Sequence, residues 1–313
     1  MSDLTTTPLP AVPPRAARRR RTPGRPPWMT APSRPMQGLK GLLIALIVLV
    51  MLYPFVNVIA FSFADGRSVT SGQLLPTSFS LAAYQSIFAG GVVTRSLLVT
   101  AGVTIVGTVL SVLFTAMLAY GLTRTRQVPL ARPALIVVLC TMFFGAGIIP
   151  NYLLIKQLGL LDSYWALILP GLISAFNMIV MRNFFMELPQ ELLESARIDG
   201  ASEFRIFVSI VLPLSKAVIA VIALFYAVGY WNSFFNALIY INDSTKWPIQ
   251  LVLNQYVVQS NALTDLQAPD QPAPPKETVQ MAIIVVATLP ILLVYPFAQR
   301  FFTKGVLTGA IKG

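Results

Sequence analysis

The stretch Glu194-Ser-Ala-Arg-Ile-Asp-Gly-Ala-Ser-Glu-Phe-Arg-Ile-Phe-Val-Ser-Ile-Val-Leu-Pro213 decides how this chain is read. It is a charged island in a very hydrophobic sequence, set between two segments long enough to cross a bilayer. A loop that only returned the chain to the membrane would not need its order. Glu191, Glu194, Arg197, Asp199, Glu203 and Arg205 interleave with Leu192, Leu193, Ala196, Ile198, Phe204 and Phe207, a pattern that suits short helices lying at a membrane surface. Pro189 opens the first helix, where its missing N–H costs nothing, and acids in the first turn suit the positive end of the dipole. Gly200 permits the backbone reversal that ends it. The spacing predicts two short amphipathic helices joined at a glycine. Such a knob implies a socket on another protein.

The rest of the chain narrows what that socket serves. Hydrophobic residues make up 55% of the 313 positions and charged ones only 11%, which reads as an integral membrane protein. There is no histidine, and the single cysteine, Cys140, lies in an apolar stretch, where it reads as a small buried residue. These absences exclude an internal disulfide, histidine acid–base chemistry and Cys/His zinc sites. No Gly-x4-Gly-Lys-[Ser/Thr] loop occurs, so ATP hydrolysis by the usual phosphate loop is excluded. Any energy source must come from a partner. No paired carboxylates, metal set or Ser/Lys constellation falls inside a span, so the chain is not read as an enzyme, and no cofactor is expected.

The net charge of +11 is unevenly placed, with eight of the 23 basic residues in the first forty positions. Residues 1–37 are also rich in proline and alanine and offer little to bury, so a disordered basic tail is expected, in contact with lipid headgroups rather than nucleic acid. Six stretches reach spanning length, near 41–63, 96–121, 133–157, 163–185, 209–235 and 279–301. The first is too long for a signal peptide and reads as a retained anchor. With the N-terminus inside, 18 basic residues face the cytoplasm and five, Arg67, Arg95, Lys156, Lys246 and Lys276, face out. That asymmetry puts both termini and the knob in the cytoplasm. The segments 64–95 and 242–278 become external loops, the second ending in a proline-rich flap.

Glu194, Ala196, Gly200, Ile210, Leu212 and Pro213 stand at the spacing E-A-A, three residues, G, nine residues, I-x-L-P. This signature resembles the permease subunits of bacterial ABC importers, in which it forms the coupling helix that docks on the ATPase. The filled-out form through Asp199, Gly200 and Ala201 is similar to the carbohydrate branch, as are the stretches Trp231 to Ile241 and Glu277 to Gly313. Ser195 departs from the motif's first alanine, a small-for-small change. Ala217 stands where relatives often have proline, so a less kinked start to the next helix is expected.

The resemblance implies an all-α membrane fold of six transmembrane helices, with the coupling helix between the fourth and fifth. It covers most of 38–313, leaving out the basic tail and the proline-rich insertion, with a core of about 92–302. Glu194, Ala196, Asp199, Gly200, Ala201, Phe204, Leu212 and Pro213 then form the ATPase-coupling segment. The implied partners are a second homologous permease, two ATPase subunits and an extracytoplasmic sugar-binding protein. The tail Gly305–Gly313 is expected either to reach the ATPase dimer or to end the last helix as a basic anchor.

Asn177 lies near the middle of the fourth predicted span and must face the protein interior or a cavity. Tyr230, Trp231, Asn232 and Asn236 read either as an interfacial aromatic belt or as a sugar path of stacking rings and amides. The rival class is an ATP-independent secondary transporter. It would need intramembrane acids, but all twelve Asp and Glu residues fall outside the predicted spans.

Overall fold

The computed structural model describes residues 34–65, 76, 78–124, 128–258 and 275–310, with side chains through 296. Most of the basic tail and of the proline-rich flap lie outside the described residues. Two compact units divide at Tyr53 and Pro54. In the first, the chain is helical from Arg34, with Leu42, Ile44, Leu46 and Val50 all exposed. The helix α1 is assigned over Arg34–Ser62 and contains Pro54.

The second unit is organised around α3 (Val92–Thr123), whose 32 residues rise about 48 Å. Its buried positions include Ser96, Thr100, Val103, Gly107, Ser111, Thr115, Ala119 and Leu122, spaced three or four residues apart. That stripe of small residues lets neighbouring backbones approach closely. Leu98, Ile105 and Val109 point away from the protein. A helix with small polar residues inside and branched apolar ones outside has lipid as its outer solvent. Packed on α3 are α7 (Ala175–Met186) and α11 (Lys216–Trp231), sharing one core with Met178, Met181, Phe185, Ile222 and Tyr226. A second cluster joins α2 (Ala82–Ala89) to the start of α3, to α13 (Ile249–Leu253) and to α14 (Lys276–Ala310) through Ile87, Val93, Ile249, Val252 and Ile283.

Among the described residues three helices are individually long and apolar enough to cross a membrane, and up to five spans result if each of two bent pairs counts as one. The predicted third span is two helices, α4 (Ala131–Phe143) and α5 (Ile148–Gln157), separated where Gly147 takes φ +86°. The fourth bends by 51° between α6 (Trp165–Ile168), extended by a 3-10 turn through Pro170, and α7. In the fifth, the expectation of a weak kink is corrected. The pair Glu203–Leu214 and Lys216–Trp231 meets at 83°. Pro213 cannot donate to the carbonyl of Ser209, so the helix widens to a π turn over Phe207–Val211. It then runs through α10 (Leu212–Leu214) and breaks at Ser215. Proline inside the signature suffices for the bend, so alanine at 217 does not straighten it.

Three further expectations change. Residues 249–258 are helical, with Ile249, Leu251, Val252 and Tyr256 buried, so this part of the supposed external loop is a packed cap. Cys140 is exposed, not buried. The last helix runs to Ala310, so the expected C-terminal tail is largely its continuation.

Candidate functional site

The knob consists of α8 (Gln190–Ile198) and α9 (Glu203–Ile206). Pro189 is the residue before the first helical position, one step earlier than expected. The stop at Gly200 has a definite geometry. With Asp199 as cap and Gly200 at φ +77°, the Gly200 N–H donates to the Arg197 carbonyl at 3.0 Å and the Ala201 N–H to the Ala196 carbonyl at 2.9 Å. These two bonds are the paired 5→2 and 6→1 closures that satisfy the orphan carbonyls of a helix end. Ser202 then caps α9 by accepting from the Arg205 N–H at 3.3 Å.

The knob has an inner and an outer face. Leu193, Ile206 and Phe207 are buried, and Ala196, Ala201 and Leu212 pack half-buried on the same core. Ile198 is 86% exposed and Phe204 72% exposed at the tip. Glu194, Asp199 and Pro213 are also exposed. Two large apolar side chains presented together beside charges make a surface suited to a partner.

Beneath the knob, one carboxylate gathers groups from three helices. Glu203 Oε1 pairs with Arg124 and accepts from Arg197 Nε at 3.2 Å. Its Oε2 accepts from Tyr120 Oη at 2.8 Å. Arg124 also donates to Tyr120 Oη at 2.7 Å and lies over that ring, 5.0 Å from its centre. Desolvation alone would raise the Glu203 carboxyl. The hydrogen bonds from Arg124 and Tyr120 and the charges of Arg124 and Arg197 outweigh it and hold the group below its ordinary value. Arg182 Nε donates to the Leu122 carbonyl at 2.8 Å, satisfying a group at the C-terminal end of α3. A cavity of about 410 Å³ opens here, lined by Arg124, Arg182, Glu194 and Arg197 among others.

The four residues suggested for a substrate path do not share one environment. Tyr230 is 7% exposed, and its Oη is bonded to Ser111 Oγ at 2.8 Å and donates to the Ile168 carbonyl at 3.2 Å. One turn earlier, Tyr226 Oη is bonded to Thr115 Oγ1 at 2.7 Å and accepts from the Ser174 N–H at 2.8 Å. Two tyrosines four residues apart on α11 thus match two hydroxyls four residues apart on α3 and satisfy backbone groups freed at the bend before α7. Tyr230 is therefore an interior residue and not part of a lipid-facing belt. Asn177 is buried in the first turn of α7, beside that bend. Trp231 donates from Nε1 to the Ala287 carbonyl at 3.0 Å, tying α11 to α14. Asn232 is exposed and turns back onto the Val228 carbonyl at 2.9 Å.

Sequence reading missed Tyr226, Arg124 and Asp162. The first two carry a signal in hindsight, the four-residue spacings Tyr226–Tyr230 and Tyr120–Arg124. Asp162, at φ +58°, accepts the backbone N–H groups of Asn242 at 2.6 Å and Asp243 at 2.9 Å. Those bonds hold its carboxyl below the ordinary value, and Lys246 Nζ donates to its carbonyl at 2.9 Å. It clamps the loop after α12 (Phe235–Tyr240) to the loop after α5. Among the described residues no cluster of three or more His, Cys, Asp or Glu is placed to hold a metal.

Residues 104–308 match the family model described as binding-protein-dependent transport system inner membrane component. The chain is 50% identical over 269 residues to the polygalacturonan/rhamnogalacturonan transport system permease protein YtcP of Bacillus subtilis, covering 85% of this chain and 94% of the relative. It is 48% identical over 267 residues to Protein LplC of the same organism, covering 84% and 90%. Its fold is similar to a chain in the crystal structure of a bacterial ABC transporter involved in the import of the acidic polysaccharide alginate. That match has a TM-score of 0.80 and 31% identity, over 88% of this chain and 100% of that one.

Proposed function

The chain belongs to the family of binding-protein-dependent transport system inner membrane components, and from that premise we propose that it is the permease subunit of an ABC importer for uronate-containing oligosaccharides. The family is one of transport permeases and not of enzymes, and an ATP-independent carrier is not favoured. A multi-pass place in the plasma membrane follows from the family and the apolar helices. The substrate class rests on two independent relatives. The most identical relative described above is named for polygalacturonan and rhamnogalacturonan, and the structural neighbour imports alginate. Pectic fragments and alginate share a carboxylate on each uronate ring.

In this reading the knob is the coupling element. Ile198 and Phe204 enter a groove on an ATPase subunit, with Glu194 and Asp199 at the rim. Leu212 and Pro213 carry the motion into α11 through the 83° bend. The working assembly holds this chain, a second homologous permease, two ATPase subunits and an extracytoplasmic binding protein that delivers the sugar. Residues 38–313 form the transmembrane domain and 1–37 its basic cytoplasmic tail. Six crossings place both termini and the knob inside, a reading supported by the 18-to-5 division of basic residues. Asn177, Tyr230, Trp231 and Asn232 border the path. Tyr230 shapes its wall by holding helices together, and Asn232 offers an amide at the end of α11.

The observation that carries the coupling role is the exposed Ile198–Phe204 tip held by a helix stop whose positive φ favours glycine. Gly200→Val forces a β-branched side chain onto a left-handed backbone, a cost of about 1 kcal/mol or more. Phe204→Asp places a charge at the tip. Both variants insert normally and lose the ATPase on co-purification, or keep it with hydrolysis severed from uptake of trigalacturonate. Wild-type co-purification and uptake in both would overturn the assignment.

A further inference from the structure

The knob is a short element with a mechanical problem. Its helices have nine and four residues, too few for rigidity of their own when isolated helices below about 12–15 residues are marginal. Along the chain it continues into a π turn and an 83° break, which are places that yield. A push on the tip would be absorbed there unless the knob is fastened to something stiff.

We infer that Glu203 is the latch that fastens the knob to α3, so that displacement of the knob shifts α3 as a lever instead of bending a loose loop. One carboxylate reaches Arg197 of α8, Tyr120 and Arg124 of α3, and itself belongs to α9. It therefore joins both halves of the knob to the end of a distant helix, whose Tyr120 lies 83 positions from Glu203 in sequence. The Phe207 ring lies 5.1 Å from Tyr120, backing the same junction with apolar contact. From Arg124 back to Gly107 the helix spans about 26 Å. There Gly107 and Ser111 meet Tyr230, so a shift at the latch reaches the hydroxyl ladder between α3 and α11.

Exposure separates latching from stability. The Glu203 side chain is 52% exposed and that of Arg124 is 14% exposed. Half-exposed ion pairs contribute little to folding, because solvent screens them. What the pair supplies is position. The side chains that present the docking tip, Ile198 and Phe204, take no part in the network, so the latch can be cut while the docking face stays intact.

This inference rests on the docking reading above, and the experiment keeps the two apart. The full complex with its ATPase is placed in nanodiscs in a Cys140→Ala background, with a single cysteine at Arg95, the exposed far end of α3. Maleimide labelling is compared with and without ATP and vanadate, which needs no transported sugar. With the latch intact, trapping changes the labelling rate by about fivefold or more, the lower end of coupling between sites. Glu203→Gln and Arg124→Gln each reduce that change to less than about twofold, with ATPase co-purification and trapped nucleotide unaltered. The double variant is no worse than either single one, because both cut one connection. The latch is overturned by a full response in Glu203→Gln, by effects that multiply in the double variant, by no response in the unmodified chain, or by loss of the ATPase from Glu203→Gln. Phe204→Asp tests the docking reading separately. If it retains the ATPase and the full response while Glu203→Gln loses the response, the latch stands and the docking face is wrong.

Discussion

Replacing Gly107 by alanine tests whether the contact between α3 and α11 is as close as the structure requires. A Cβ built there lies 2.8 Å from Tyr230 Cε2 and 2.9 Å from Cδ2 and Cζ. Carbon atoms pack at about 3.5–4.0 Å, so the ring must retreat by roughly 0.6 Å or more. The ring is not free to swing, because its Oη is bonded to Ser111 at 2.8 Å and to Ile168 at 3.2 Å. Overpacking costs about 1–3 kcal/mol, and each weakened hydrogen bond adds about 0.5–1.5 kcal/mol. Against this stands a gain of about 1 kcal/mol for removing a glycine from a helix. The net expectation is a loss of about 1–5 kcal/mol. Gly121 lies on the same helix with nothing within 4 Å of its built Cβ, so Gly121→Ala keeps the helical gain without the clash. Thermal melting of the purified subunit in detergent should place Gly107→Ala below wild type and Gly121→Ala at or above it. Equal melting temperatures for the two variants would refute the reasoning.

Tyr226→Phe leaves the Ser174 N–H without its acceptor at the bend before α7, at a cost of about 1–3 kcal/mol, read as a lower melting temperature. Asp162→Ala should speed hydrogen exchange of the Asn242 and Asp243 amides. Because the folded carboxyl is held below its ordinary value, the clamp is fully present above the unfolded pKa, about 3.9, and is lost as pH falls through the folded value; opening of this loop at neutral pH in the unsubstituted chain would contradict it. In a Cys140→Ala background, a cysteine within 262–275 should label from outside intact cells and one at Ser202 should not. Asn177→Ala and Asn232→Ala should lower trigalacturonate uptake without disrupting assembly, and unchanged kinetics in both would assign them to packing.

The bend in the fifth span shows what composition cannot carry. A window from 209 to 235 is apolar enough to span, and apolarity counts residues without asking which way the axis runs. Pro213 lies inside that window, but Ala217 at the start of the next helix reads as a straighter course. The break at Ser215 depends on the π turn before it and on a buried serine. The stretch 249–258 reads as loop in the sequence because short apolar runs between polar residues are ambiguous alone. Its helix exists because Ile249, Val252 and Tyr256 pack on α2, α3 and α14. Tyr230 sat in an aromatic cluster that reads equally as a belt or a path, and only its neighbours on α3 show it to be interior.

The sequence by itself determined the membrane class, through 55% hydrophobic and 11% charged residues, and the place of the knob and its stop. Both are local matters: hydropathy is a sum over residues, and a left-handed backbone at Gly200 needs no distant partner. Only the tertiary structure decided what holds the knob and the bent helices. The Glu203–Tyr120 bond of the latch spans 83 positions, the Tyr226–Thr115 bond spans 111, and the Tyr230–Ser111 bond spans 119. Side-chain hydrogen bonds at that separation are set by which helix faces meet in space, and one chain read in order carries no record of that meeting.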